Sequence, residues 1–151
     1  MTGRGLPEGR RRLASLIVGI PALFLFAASL LRGLMPPGEI PVLDPVLSGL
    51  CHRIPSRCIN LPWGHSAMCA RCTSFWMGLF GGSLYHFLRP PRWGVAAGIL
   101  LLLPVVVDGL AQLLIGCYRS TEAVRMITGA VGGFGVSLLL VADRAGGRSG
   151  R

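Results

Sequence analysis

Charged side chains are scarce in this sequence of 151 residues, and lysine is absent altogether. Charged residues make up 14% of the chain, against about 25% in soluble domains, whereas 52% of the residues are apolar. The high apolar content excludes an intrinsically disordered chain, which would be poor in apolar residues. The length accommodates about one domain. A lipid bilayer is therefore the solvent that this composition fits.

All 15 basic residues are arginines, and with only six acidic residues the formal net charge is +9. Excess basic charge can indicate a nucleic-acid partner, but no binding motif and no basic stripe with interleaved aromatic residues accompanies it here. The arginines lie at the ends of apolar runs, as they do beside membrane helices. We therefore expect a lipid bilayer as partner and no nucleic acid, and the sequence indicates no particular protein partner.

Four long apolar runs dominate the chain, and none alternates with the period of a β-strand. Each run is long enough to cross about 30 Å of hydrocarbon at 1.5 Å per residue. Because helices satisfy their own backbone hydrogen bonds in lipid, we predict an all-α, polytopic membrane four-helix bundle. The predicted helices are about 13–34, 67–88, 94–117 and 121–142, with an outer loop at 36–66 and basic tails at 1–12 and 143–151.

The distribution of the arginines predicts the orientation. Nine lie in the two tails and the connector near residues 89–92, and six lie in or near the other connectors. The positive-inside rule then places both termini in the cytoplasm of a multi-pass protein of the cell (inner) membrane. Residues 1–29 also resemble a cleaved signal peptide, because basic residues, an apolar stretch and small residues follow one another. An uncleaved helix is the preferred interpretation, since the run continues through Leu30 and Leu31.

Cysteines and histidines are concentrated in the predicted outer loop and the start of the next helix. Six of them fall between residues 51 and 72, namely Cys51, His52, Cys58, His65, Cys69 and Cys72. The predicted topology places Cys117 at the same membrane face. A C-x-x-C pair is a common half of a zinc site, in which thiolate and imidazole groups are the ligands. We therefore hypothesise a zinc site formed by Cys51, Cys69 and Cys72 together with one histidine, which is either His52 or His65.

Two other chemistries fit the same cysteines. A C-x-x-C pair at a helix N-terminus can be a redox dithiol, because the helix lowers the thiol pKa. The layout is similar to that of quinone-coupled disulfide-generating membrane enzymes. In this chain, Cys69 and Cys72 would be the active pair, and Cys51 and Cys58 would be the loop pair. Alternatively, inert disulfides staple the loop of a structural or assembly subunit. The sequence leaves open whether the protein is an enzyme.

A carboxylate interrupts the third run. Asp108 lies about 14 Å below the outer end of the predicted helix, where an ionised group requires a partner. Gln112 lies one turn outward on the same face. We predict an ion pair between Asp108 and an arginine, with Arg125 preferred over Arg71. The predicted polar pocket beneath the cysteines contains Asp108, Gln112, Arg71, Arg119 and Arg125, and a pair that only fixes helix register is the simpler alternative.

Two GxxxG motifs predict a helix contact. Gly78 and Gly82 form one motif in the second predicted helix, and Gly129 and Gly133 form another in the fourth. Small residues let helix backbones approach closely in lipid, where no hydrophobic force drives helices together. The two motifs are therefore candidates to pack against each other.

These features together resemble a known family. The residues that carry the resemblance are Cys51, His52, Arg57, the run from Cys69 to Thr73, Asp108, Gly109, Gln112, the run from Arg119 to Thr121, Arg125, Thr128 and Gly129. They are similar to the domain of unknown function 2085 family of small bacterial and archaeal membrane proteins, over about residues 45–140. The resemblance implies an integral membrane protein and no specific activity.

The sequence departs from that family pattern at Ser74 and Glu122, and Cys58 and Cys117 look like additions to it. The cysteines that remain shared are Cys51, Cys69 and Cys72. An odd number of shared cysteines favours a metal or a reactive thiol over two obligatory disulfides.

Overall fold

The computed structural model describes residues 8–36, 45, 47, 49–51, 54–89, 95–115 and 120–141. Within these ranges, the four long helices are α1 (Glu8–Leu34), α2 (Ala70–Leu88), α3 (Val95–Leu114) and α4 (Glu122–Val141). A 3-10 turn (Pro55–Arg57) and two antiparallel strands, β1 (Cys58–Leu61) and β2 (Gly64–Cys69), lie between α1 and α2. The predicted all-α, four-helix architecture is confirmed.

The helix ends differ from the predicted ones by a few residues. The first helix begins at Glu8 instead of residue 13, because Glu8 pairs with Arg12 one turn later and continues the helix into the basic tail. The second begins at Ala70, three residues later than predicted, because β2 continues to Cys69. The third ends at Leu114, and the fourth covers residues 122–141.

The predicted outer loop contains a β-hairpin. The expectation of no strands holds for the apolar runs, but it does not hold for this connector. Leu61 pairs with Gly64 across a two-residue turn, and Gly64 has the positive φ of 147° that favours glycine. The backbone N–H of Trp63 donates to the Gly33 carbonyl oxygen at 3.1 Å, so the hairpin rests on the C-terminal end of α1.

The helices pack side by side in the order α1, α2, α4, α3. The hydroxyls of Ser29 and Thr73 are 2.8 Å apart and join α1 to α2, which runs antiparallel to it. The fourth helix runs parallel to α2, and α3 runs antiparallel to α4. The start of α2, the start of α4 and the ends of α1 and α3 therefore share one end of the bundle with the β-hairpin. We call this the hairpin end.

Glycines allow the close contact between α2 and α4. A Cβ atom at Gly129 or Gly133 would overlap the carbonyl oxygen of Arg71 or Phe75. The predicted contact between the two GxxxG segments is present. The glycines of one motif do not meet those of the other, however, because each lies against backbone or small side chains of the facing helix.

We expect Gly133→Ala to lower the free energy of unfolding by about 1–3 kcal/mol, because the added methyl group overlaps backbone that cannot rotate away. Gly81→Ala is the matched control, since nothing lies within 4 Å of a Cβ atom there. Thermal unfolding of both variants in detergent measures the difference. Equal melting temperatures for the two variants would contradict the close contact of α2 and α4.

Three of the four described helices, α1, α3 and α4, are long and apolar enough to cross a membrane. The third helix buries only Gly98 and Asp108, and many of its apolar side chains are exposed, as expected for a surface in contact with lipid. The second helix is less apolar. It lies between α1 and α4, and its hydroxyl groups and His86 are buried inside the bundle.

Candidate metal centre

Three cysteines from separate segments meet at the hairpin end. Cys51 precedes the 3-10 turn, Cys69 is the last residue of β2, and Cys72 lies in the first turn of α2. Their Sγ atoms all lie within 4.8 Å of one another. Thiolates bound to one tetrahedral zinc ion at about 2.3 Å stand about 3.8 Å apart, so these sulfurs need to approach by about 1 Å at most to share an ion.

The start of α2 brings Cys69 and Cys72 together. Cys69 is the N-cap residue of α2 and has an extended backbone, with φ −63° and ψ 156°. Cys72 follows three residues later, nearly one helical turn on, and helical side chains lean toward the N-terminus. The C-x-x-C spacing therefore places both side chains at the same point of the helix start.

Cys51 joins this pair through the backbone. The N–H of Cys69 donates a hydrogen bond to the Cys51 Sγ atom at 3.4 Å. Cys51 and Cys72 pack against a buried apolar cluster formed by Ala28, Leu47, Ala67 and Met68. The three cysteines are themselves half-buried. The apolar cluster thus excludes water from one side of the site, and the other side of the site is accessible to solvent.

Hydrogen bonds favour the thiolate form of Cys69. The hydrogen bond with the Cys72 thiol is the largest influence; together with the Cys51 thiol and backbone N–H groups, it lowers the pKa of Cys69 to about 5, although burial acts in the opposite direction. The thiolate is both the metal-binding and the nucleophilic form of cysteine. Three sulfur donors of this kind fit zinc, which readily takes thiolate ligands.

The histidine and the other cysteines that the sequence indicated are not part of this group among the described residues. His65 is exposed on β2, where it pairs with Asn60, whereas Cys69 pairs with Cys58, and its ring nitrogens are not among the ligand atoms that lie within 4.8 Å of one another. It is separated from the cysteines because an extended strand forms where a loop was expected. Cys58 is buried, and its thiol donates to the Ile54 carbonyl oxygen at 3.4 Å. His52 and Cys117 lie outside the described residues.

A polar network crosses the bundle beside the cysteines. Arg71 forms an ion pair with Asp108, and Gln112 donates to the same carboxylate oxygen at 3.3 Å. Gln112 also donates to the Ser120 hydroxyl, to which the Nε atom of Arg125 donates at 3.0 Å. The network thus brings together four of the five residues of the predicted polar pocket. Arg119, the fifth, lies outside the described residues.

The partner of Asp108 differs from the preferred one. The sequence favoured Arg125, whereas Arg71 makes the ion pair and Arg125 binds Ser120. Ser120 is a network residue that residue chemistry alone did not single out. The signals available for it were its place in the run from Arg119 to Thr121, which carries the family resemblance, and its position just before a helix start, where the Thr121 hydroxyl accepts the Val124 N–H at 3.4 Å.

Comparison with known proteins identifies a family. Residues 51–139 match the profile of a family described as "Predicted membrane protein (DUF2085)". The chain belongs to the DUF2085 family. The match begins at Cys51 and extends into α4, so the cysteine group and the described polar network both lie within the part of the chain that defines this family. The first helix precedes the matched region.

Two archaeal proteins are similar to this DUF2085 chain. An uncharacterized protein of Methanothermobacter thermautotrophicus is 34% identical over 93 residues, which are 60% of this chain and 83% of the relative. The uncharacterized protein MJ1492 of Methanocaldococcus jannaschii is 38% identical over 103 residues, 62% of this chain and 63% of that relative. No solved structure matches. Family membership and the three apolar helices identify the chain as a membrane protein.

Proposed function

We propose that this membrane protein binds a zinc ion through Cys51, Cys69 and Cys72. The observation that carries the proposal is the convergence of the three Sγ atoms within 4.8 Å. The hydrogen bond from the Cys69 N–H to the Cys51 sulfur adds support, because it holds Cys51 beside the start of α2. A bound zinc ion would supply a Lewis acid or a cross-link between the loop and α2.

The fourth ligand determines what the site does. The described residues offer three sulfur ligands, whereas tetrahedral zinc takes four. Water, a substrate or His52 are the candidates for the fourth position. Three protein ligands and one exchangeable ligand are typical of catalytic zinc sites, and four protein ligands are typical of structural ones.

We further propose that the hairpin end faces the extracytoplasmic side of the inner membrane, with both termini cytoplasmic. The excess of arginines in the tails supports this orientation. The antiparallel packing of α1 and α2 puts Arg10, Arg11 and Arg12 at the end opposite the β-hairpin. On intact cells, a membrane-impermeant alkylating reagent applied after reduction and chelation should modify Cys69. If Cys69 reacts with the reagent only after the cells are opened, the hairpin end faces the cytoplasm and the proposed orientation is wrong.

A thiol oxidoreductase with a quinone as electron acceptor is the second candidate. The lowered pKa of Cys69 supports it, because the thiolate is the attacking form. Closing a disulfide between the Cys69 thiolate and the Cys72 thiol would release two electrons and one proton, and a quinone would take these up with one further proton from water to form a quinol. Cys51 would then be the third thiol able to exchange with the pair, since Cys58 lies outside the group of converging sulfurs.

Metal analysis with thiol counting tests the proposal. The full chain is purified in a neutral detergent without chelator, its zinc content is measured, and free thiols are counted after denaturation. About one zinc per chain, together with free rather than paired thiols, is expected for one three-sulfur site. Absence of metal with thiols that oxidise when a quinone is added would favour the oxidoreductase. Absence of metal with inert disulfides would favour a structural subunit.

A further inference from the structure

A cavity of about 220 Å³ opens at the hairpin end, and no cysteine is among its described lining residues. Among the described residues it is lined by Ile54, Ser56, Arg57 and Arg125. The first three come from the segment around the 3-10 turn, and Arg125 comes from the first turn of α4. Gly129, one turn further along α4, packs on the Arg71 backbone, so the cavity lies close to the level at which α2 begins.

Two positive charges face this cavity. Arg125 is buried, with only 9% of its surface exposed. The ion pairs found among the described residues are Arg12–Glu8 and Arg71–Asp108, so neither Arg57 nor Arg125 has a described carboxylate within 4.0 Å. A buried cation without a counter-charge is unfavourable by several kcal/mol. Arg125 therefore has no described counter-charge, and an anion in the cavity would supply one.

The side chain of Arg125 is held in position for such an anion. Its Nε atom donates to the Ser120 hydroxyl at 3.0 Å, and Ser120 is fixed in turn by Gln112. This leaves the two terminal nitrogens of the guanidinium, which make no hydrogen bond within the described chain and are not among its fully enclosed unpartnered atoms, so they are open to the cavity. A guanidinium presented in this way binds two oxygens of one oxyanion side by side. The position in the first turn of α4 adds the positive end of a helix dipole.

The residues that line the cavity indicate which class of ligand it binds. Two guanidinium groups and the Ser56 hydroxyl are hydrogen-bond donors, as a phosphate-type oxyanion requires. The volume suits a small group and excludes a protein segment. We propose that Arg57 and Arg125 form a binding site for a phosphate-type oxyanion, either free phosphate or the phosphate of an anionic lipid headgroup. The site is independent of metal at the cysteines.

Binding measurements on the purified full chain in a neutral detergent test the site. Inorganic phosphate is titrated against wild type, Arg57→Gln and the charge-matched control Arg10→Gln, which lies at the opposite end of the bundle. We expect Arg57→Gln to weaken phosphate binding about 10- to 100-fold, as loss of hydrogen bonds to a charged group does, and Arg10→Gln to leave it unchanged. Arg57 is exposed, so its substitution leaves no buried group unpaired.

Vesicles distinguish the two sources of the oxyanion. The chain is reconstituted in phosphatidylcholine with or without one-fifth phosphatidylglycerol, and retained lipid is measured by native mass spectrometry. The site is assigned to a lipid headgroup if two results are obtained together. Wild type retains phosphatidylglycerol selectively, and both Arg57→Gln and Arg125→Met abolish this retention. Wild type also fails to bind inorganic phosphate in detergent. Phosphate binding without lipid selectivity assigns it to the free ion. Equal behaviour of wild type, Arg57→Gln and Arg10→Gln in both measurements would overturn the proposal.

Discussion

Cys72→Ser is expected to lower the zinc content of the purified protein from about one ion per chain to about a tenth of that or less. The substitution removes one of three sulfurs that lie within 4.8 Å of one another. Losing even an outer-shell partner of a zinc ligand weakens affinity about 10- to 100-fold, and losing a ligand weakens it more. The measurement is metal analysis after dialysis against a buffer with a fixed low concentration of free zinc.

Cys58→Ser is the matched control for that experiment. Cys58 belongs to the same connector but lies outside the converging sulfurs, and a serine hydroxyl can keep its hydrogen bond to the Ile54 carbonyl oxygen. We expect this variant to retain zinc. A chelator should lower the melting temperature of wild type and of Cys58→Ser but not of Cys72→Ser, because bound metal stabilises only the folded state. Retention of zinc by Cys72→Ser, or an equal loss in both variants, would contradict the site.

Asp108→Ala is expected to lower the free energy of unfolding by about 3–5 kcal/mol, the usual effect of removing one partner of a buried ion pair. The side chain of Asp108 is 6% exposed and that of its partner Arg71 is 24% exposed, so the charge left on Arg71 would be poorly solvated. Gln112 would also lose an acceptor. Unfolding of the detergent-solubilised chain, followed by helical circular dichroism, measures the effect.

A double variant separates lost pairing from lost packing. Replacing both partners, as Arg71→Met with Asp108→Leu, should restore much of the stability, because apolar residues replace an ion pair at little net loss. Glu122→Ala removes an exposed carboxylate near the same end of the bundle and should change stability by less than about 0.5 kcal/mol. If the double variant is as unstable as Asp108→Ala, the pair is not what holds α3 against α2 and α4.

The long-range layout of the protein could be predicted because it depends on simple physical limits. The length and apolar character of the runs predicted four helices, and all four are present. The GxxxG segments predicted which helices approach most closely, since only glycine allows backbone contact such as that of Gly133 with Phe75. Both features can be recognised without knowing how any side chain is oriented.

Details that depend on helix rotation and strand formation could not be predicted in the same way. Arg71 and Arg125 both lie in the first turns of their helices, so sequence position alone could not decide which one faces Asp108. His65 was a reasonable candidate for a metal ligand as long as the connector was expected to be a flexible loop. The hairpin, however, pairs His65 with Asn60, away from the position of Cys69 opposite Cys58. The hairpin was hard to anticipate because β1 has only four residues, three of which pair with β2 in an irregular register.

The position of the cysteine group along the chain has a consequence for biogenesis. All three converging sulfurs are encoded before residue 73, whereas α3 and α4 follow later. The ribosome therefore synthesises the complete sulfur set, together with α1 and the β-hairpin, before it reaches Asp108. The proposed zinc ion would therefore require no residue of the last two helices for its three sulfur ligands, whereas Arg71 gains its carboxylate partner only when Asp108 is added.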